Sequence, residues 1–140
     1  MEEKSYYERY RRQAFLFEGA GIVLLAAGIL LNEVTGRGLG LPVLLLAGAG
    51  MVLLVIGGSS ARPHVIVKSF AALLQKDPTR KNAEEFLYAL EKTGKVSLVR
   101  QSGNLVEGAL AAYEKSPEAD PELVRKLRET VDEKIRHRAF

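Results

Sequence analysis

Apolar residues are not spread evenly along this chain. They gather in two blocks, Ala14 to Leu31 and Leu41 to Gly58, each 18 residues long and holding one ionisable side chain between them, Glu18. At about 1.5 Å per residue, each block approaches the roughly 30 Å hydrocarbon thickness of a bilayer. Neither keeps the polar stripe of a soluble surface helix. The pattern predicts two membrane-spanning helices. The link 32–40 carries Gly36, Gly38 and Gly40, and Pro42 opens the second block. Glycine permits a tight reversal and proline suits a first helical turn. The spans therefore form an antiparallel hairpin with a small external turn.

Beyond Ala61 the pattern changes to amphipathic stripes. Four helices are predicted in 62–140. The first, Pro63 to Gln75, aligns Ile66, Phe70, Leu73 and Leu74, and Asp77-Pro78 ends it. The second, Ala83 to Thr93, is assigned Asn82 as N-cap and Glu85 as a capping-box acid, with Gly94 as its stop. The third, Val96 to Lys115, presents Val99, Val106, Leu110 and Tyr113, with Ser102-Gly103 as a soft point. The fourth starts at Asp120-Pro121 and carries Leu123, Leu127, Val131 and Ile135 at four-residue spacing. Its basic end, from Lys134, complements the helix dipole. No segment alternates at period two, so the fold class is all-α: a two-span transmembrane hairpin with a small cytoplasmic four-helix domain. Asp77-Pro78 and Ser116-Pro117, about 39 residues apart, mark two similar helical hairpins.

The segment 1–13 reads as an interfacial amphipathic helix. Tyr6 and Tyr10 share one of its sides, and Arg11 and Arg12 follow. Rings and arginines at that depth suit the headgroup layer, where they set the height and tilt of the first span. Within the spans, Ala14, Gly21 and Gly28 recur every seven residues, as do Gly50 and Gly57. Lipid offers no hydrophobic drive for helix association, so close approach through small residues supplies the contact. Gly21, Gly28, Gly50 and Gly57 are thus the expected span-packing positions. Whether both small faces pair the spans, or one pairs protomers, is left open by the spacing.

Charge adds topology. Lys4, Arg9, Arg11 and Arg12 precede the first span, Arg37 stands alone in the link, and Arg62 and Lys68 follow the second. Cationic residues favour the cytoplasmic side, which puts both termini there. The net charge of +3 is a topology signal rather than a nucleic-acid footprint, because acidic residues interleave throughout the tail.

Candidate chemistry is sparse. The absence of cysteine excludes disulfides and thiolate sites. His64 and His137 are far apart, and no P-loop, dinucleotide fingerprint or nucleophile elbow occurs. No catalytic residue, metal site or cofactor is assigned. Glu18 stands out, since an ionisable group inside a span is by default a functional hypothesis. Near the cytoplasmic end it is expected to reach headgroup water or pair with Arg11 or Arg12. The resulting expectation is an interaction or accessory protein that contacts lipids and a protein partner or itself, and no nucleic acid. A homo-oligomeric pore or transporter is the alternative, and a membrane-surface enzyme is disfavoured.

Overall fold

The computed structural model describes residues 6–36 and 40–137. The expectations resting on Lys4, Arg37, Gly38 and the last three residues lie outside these. Among the described residues the chain is helical, with six helices and one two-stranded parallel sheet. The described residues divide into two units: those within 8–61, and 62–137 together with 6 and 7.

The first unit is the helical hairpin. Helix α1 runs Tyr6–Thr35 and α2 runs Leu41–Ser60, each long and apolar enough to cross a membrane. At about 1.5 Å per residue, α1 is about 45 Å long. No break separates residues 6–13 from the apolar block; they form the first turns of α1. The helix stops where Gly36 adopts φ +58, and the Gly36 amide donates to the Asn32 carbonyl at 3.0 Å. That left-handed turn is open to glycine without steric cost. Pro42 sits in the first turn of α2, behind the extended Gly40.

The second unit is built from α3 (Pro63–Lys76), α4 (Arg80–Lys92), β1 (Val96–Leu98), α5 (Arg100–Glu114), α6 (Pro121–Lys134) and β2 (Ile135–His137). Helix α3 packs against α4 and α5, and α6 packs against α4 and α5. Their stripes meet in one core. Phe70, Leu74, Phe86, Leu90, Leu110, Tyr113 and Leu127 are all at most 1% exposed. Burying each such large apolar side chain contributes about 1.5–3 kcal/mol. Ser102 and Gly103, expected as a soft point, are buried inside α5, where their small size suits close packing.

The expected third and fourth helices are each trimmed by a strand. Val96–Leu98 pairs in parallel with Ile135–His137, in the register Val96↔Ile135, Ser97↔Arg136, Leu98↔His137. Val99 is therefore not on a helix face. It is the N-cap of α5 and stands 48% exposed. Ile135 is buried, but in β2 rather than in α6. The two hairpins thus repeat a larger plan, helix–helix–strand, twice.

Helix starts and ends are held by named side chains. Helix α4 begins earlier than expected: Thr79 is its N-cap and accepts from the Asn82 amide, while the Asn82 side chain donates to the Asp77 carbonyl. Asn82 lies in the first turn, because the helix can resume directly after the rigid Pro78. Asp120 caps α6 by accepting from the Glu122 amide. The Lys134 ammonium donates to the Glu91 and Thr93 carbonyls, each at 2.9 Å. It serves the end of α4 as well as standing at the end of its own helix. The buried Tyr113 hydroxyl donates to the Glu118 carbonyl and accepts from the Asp120 amide, which fixes the α5–α6 loop.

Candidate functional site

The two apolar helices meet along a seam of small residues. Ala14, Gly21 and Gly28 on α1 face Gly57, Gly50 and Val43 on α2, and all six are buried. Each step of seven forward on α1 matches a step of seven back on α2. The approach is close at Gly21, Gly50 and Gly57 alike. A Cβ added at Gly21 would fall 2.7 Å from the Gly50 carbonyl oxygen, and one at Gly50 would fall 2.8 Å from the Gly21 carbonyl oxygen. A Cβ at Gly57 would fall 2.8 Å from the Ala14 carbonyl oxygen. Backbone meets backbone in this way only where both helices lack side-chain bulk. At Gly28 the nearest atoms lie 3.6 Å away, an ordinary contact. Gly48, on the outer side of α2, has nothing within 4 Å.

Glu18 lies on the edge of this seam. A Cβ at Gly57 would come within 2.7 Å of the Glu18 Cγ, and one at Gly58 would stand 3.5 Å from its Oε1. The side chain therefore fits over a two-glycine notch in α2. Glu18 is half-buried and forms no ion pair with Arg11 or Arg12, which are exposed. The expected pairing along α1 is replaced by contact across to α2. One side of that helix end is held differently: the Tyr10 hydroxyl donates to the Ser60 carbonyl at 3.1 Å. Tyr10, Gln13, Ala14, Phe17 and Ser60 line a small cleft of about 60 Å³ there.

Tyr6 and Tyr7 belong to the second unit. Tyr6 meets Phe70 edge-on with ring centroids 5.4 Å apart, and Tyr7 meets Tyr88 edge-on at 5.6 Å. The Tyr7 amide donates to a Glu85 carboxylate oxygen at 3.5 Å. These rings pack on protein, an arrangement worth about 0.5–1.5 kcal/mol per pair beyond burial. For Tyr6, expected at the headgroup layer, a ring partner 64 residues away leaves no local pattern in the sequence.

On the second unit, a cleft of about 370 Å³ is lined by Arg80, Glu84, Leu87, Asp120, Glu122, Leu123 and Lys126. Its charges already satisfy one another. Arg80 bonds Glu84 at 3.0 Å and lies 3.6 Å from Asp120, while Lys126 lies 3.9 Å from Glu122. The hydrogen bond from Arg125 holds the Glu122 carboxyl below its ordinary range. Nearby, the hydrogen bond from Arg128 does the same for Glu114. His64 lies in the first turn of α3, and among the described residues no cluster of three His, Asp or Glu is arranged to hold a metal. Comparison with known proteins gives no match: no family model, no curated protein and no solved structure is similar to this chain.

Proposed function

We propose that this chain is an integral membrane protein in which the hairpin anchors a cytoplasmic helical unit. It acts as an interaction or accessory protein in a larger membrane assembly. One observation carries the anchoring. The outward-facing large apolar side chains of α1 and α2 are 41% (Phe17) to 84% (Val34) exposed, and only 17% of each apolar window is buried. Water does not tolerate a contiguous apolar surface of that extent, whereas lipid tails match it. The second unit behaves oppositely: among its described residues only Tyr6 and Val99 are large, apolar and exposed.

The same surface speaks for an anchor over a pore. Around the hairpin the outer faces carry apolar side chains, and a conducting homo-oligomer needs a polar lining. Arg9, Arg11 and Arg12 precede the first span, and Arg62 and Lys68 follow the second, which supports cytoplasmic termini. A cysteine at Gly38 should then be labelled by an impermeant reagent from outside intact cells, and one at Lys95 should not. The reverse pattern overturns the topology. The function itself is tested by the mass and composition of the complex extracted gently from its native membrane. A second protein at fixed ratio is expected. A closed homo-oligomer that conducts ions in liposomes would replace this reading with the pore.

A further inference from the structure

We infer that Glu18 is an intramembrane docking carboxylate for a cationic side chain, Lys or Arg, carried by the span of a partner protein. The inference rests on the membrane-anchored reading and names the chemistry of the partner.

Four observations converge on it. Glu18 is the one ionisable group in either apolar block, four residues in from Ala14, about 6 Å along the helix. Its stem is seated rather than free, because the Cγ fills space that a Cβ at Gly57 would need. Its carboxylate makes no hydrogen bond or ion pair among the described residues, yet it is not sealed in. Among the described residues the buried side-chain polar atoms without a partner are Asn32 Oδ1 and Ser116 Oγ, and the Glu18 oxygens are not among them. The chain thus holds the stem in a glycine notch and leaves the charged end accessible at membrane depth. Ionisable side chains within spans face water or protein and pair with an opposite charge or with backbone carbonyls, and for a carboxylate the opposite charge is a cation.

The cation cannot come from this chain's own spans. Neither 14–31 nor 41–58 contains Lys or Arg, and on α1 of a second copy at the same depth the nearest cations, Arg11 and Arg12, lie about 9–10 Å along the helix from the level of Glu18. The neighbouring surface favours a helix as the carrier. Gly19, next to Glu18, has nothing within 4 Å of an added Cβ, so another backbone can come close there. A partner span with one basic residue at matching depth satisfies both features.

The test uses the full-length chain in phosphatidylcholine vesicles. A single-span Leu/Ala peptide carrying one Lys about 6 Å inside its apolar stretch is co-reconstituted with it. Association is read by fluorescence energy transfer against the same peptide with Leu at that position. The Lys peptide is expected to bind about threefold to tenfold more tightly. Glu18→Gln should erase the difference, Glu18→Asp should keep part of it, and the remote Gly48→Ala should keep all of it. Circular dichroism of each variant establishes that the helices persist. Equal binding of the two peptides to the wild type overturns the inference, as does an undiminished Lys preference in Glu18→Gln. If phosphatidylethanolamine vesicles abolish the preference, the lipid ammonium is the occupant and the protein-span assignment falls. Resistance of Glu18→Gln to alkaline extraction reports on anchoring separately, so that reading survives or fails by itself.

Discussion

Replacing Gly21 with Ala adds a single methyl group at one of the tight points of the hairpin. The new Cβ would stand 2.7 Å from the Gly50 carbonyl oxygen, 2.8 Å from the Leu54 Cγ and 2.9 Å from the Leu54 nitrogen. Two of these neighbours are backbone atoms, so a rotamer change cannot relieve the contact. To reach the 3.4 Å of an ordinary contact the helices must part by about 0.7 Å. A gap of that size forfeits about a quarter to a half of each dispersion contact, itself worth ~0.1–0.2 kcal/mol. Over about twenty atom pairs along the seam this amounts to ~1 kcal/mol, and residual strain raises it toward ~3 kcal/mol. Gly28→Ala and Gly48→Ala are the controls: the first meets atoms at 3.6 Å and the second meets none within 4 Å. Because the chain has no cysteine, dyes on cysteines placed at the exposed Phe15 and Ser59 report hairpin opening without background. The energy-transfer signal is followed through a titration with sodium dodecyl sulfate. Gly21→Ala and Gly50→Ala should each open at lower detergent fraction than the wild type, and both controls should match it within ~0.5 kcal/mol. The double variant should cost less than the two singles together, since the helices need to part only once. Equal effects at Gly21 and Gly48 would refute the backbone-to-backbone argument.

Lys134→Met removes two charge-assisted hydrogen bonds to the last turn of α4, the Glu91 and Thr93 carbonyls. The full chain in detergent should lose about 1.5–3 kcal/mol in urea unfolding of the second unit, with faster amide exchange at the end of α4; an unchanged midpoint would deny Lys134 that role. Acid provides the third perturbation. Arg128 lowers the Glu114 pKa, so this pair contributes stability above the ordinary carboxylate value that is lost as pH falls through the lowered one. Both groups are more than a third exposed, which limits the contribution to no more than ~1 kcal/mol. The difference in urea midpoint between wild type and Arg128→Gln should therefore shrink between about pH 6 and pH 3, and a difference that grows in acid would contradict the pairing.

The helices were legible because their stripes are local. Ile66, Phe70 and Leu74 recur at the helical period, and the core they form is the one the period implies. The strands were not legible, since three residues are too few to display alternation and their pairing joins positions far apart. Ile135 continues the four-residue rhythm of Leu123, Leu127 and Val131, so its sequence pattern alone extends the helix it follows. The seven-residue spacing of small residues pointed to a close-packing face, but not to which face would meet which. The antiparallel hairpin matches Gly21 to Gly50 and Ala14 to Gly57. For Glu18, composition alone marks the residue as exceptional. Its seat over Gly57 depends on where α2 lies, which no spacing on α1 encodes.

The pairing of β1 with β2 also sets a clock. Residue 98 completes the first strand, and its partner begins only at residue 135. At roughly 5–20 residues per second of synthesis, β1 waits about 2 to 7 s for the segment that closes it. Lys134, which holds the end of α4, arrives in the same interval. Both apolar helices, complete by residue 60, have emerged well before then. On the proposed anchoring, this order of emergence gives the hairpin time to enter the bilayer before the helical unit can close.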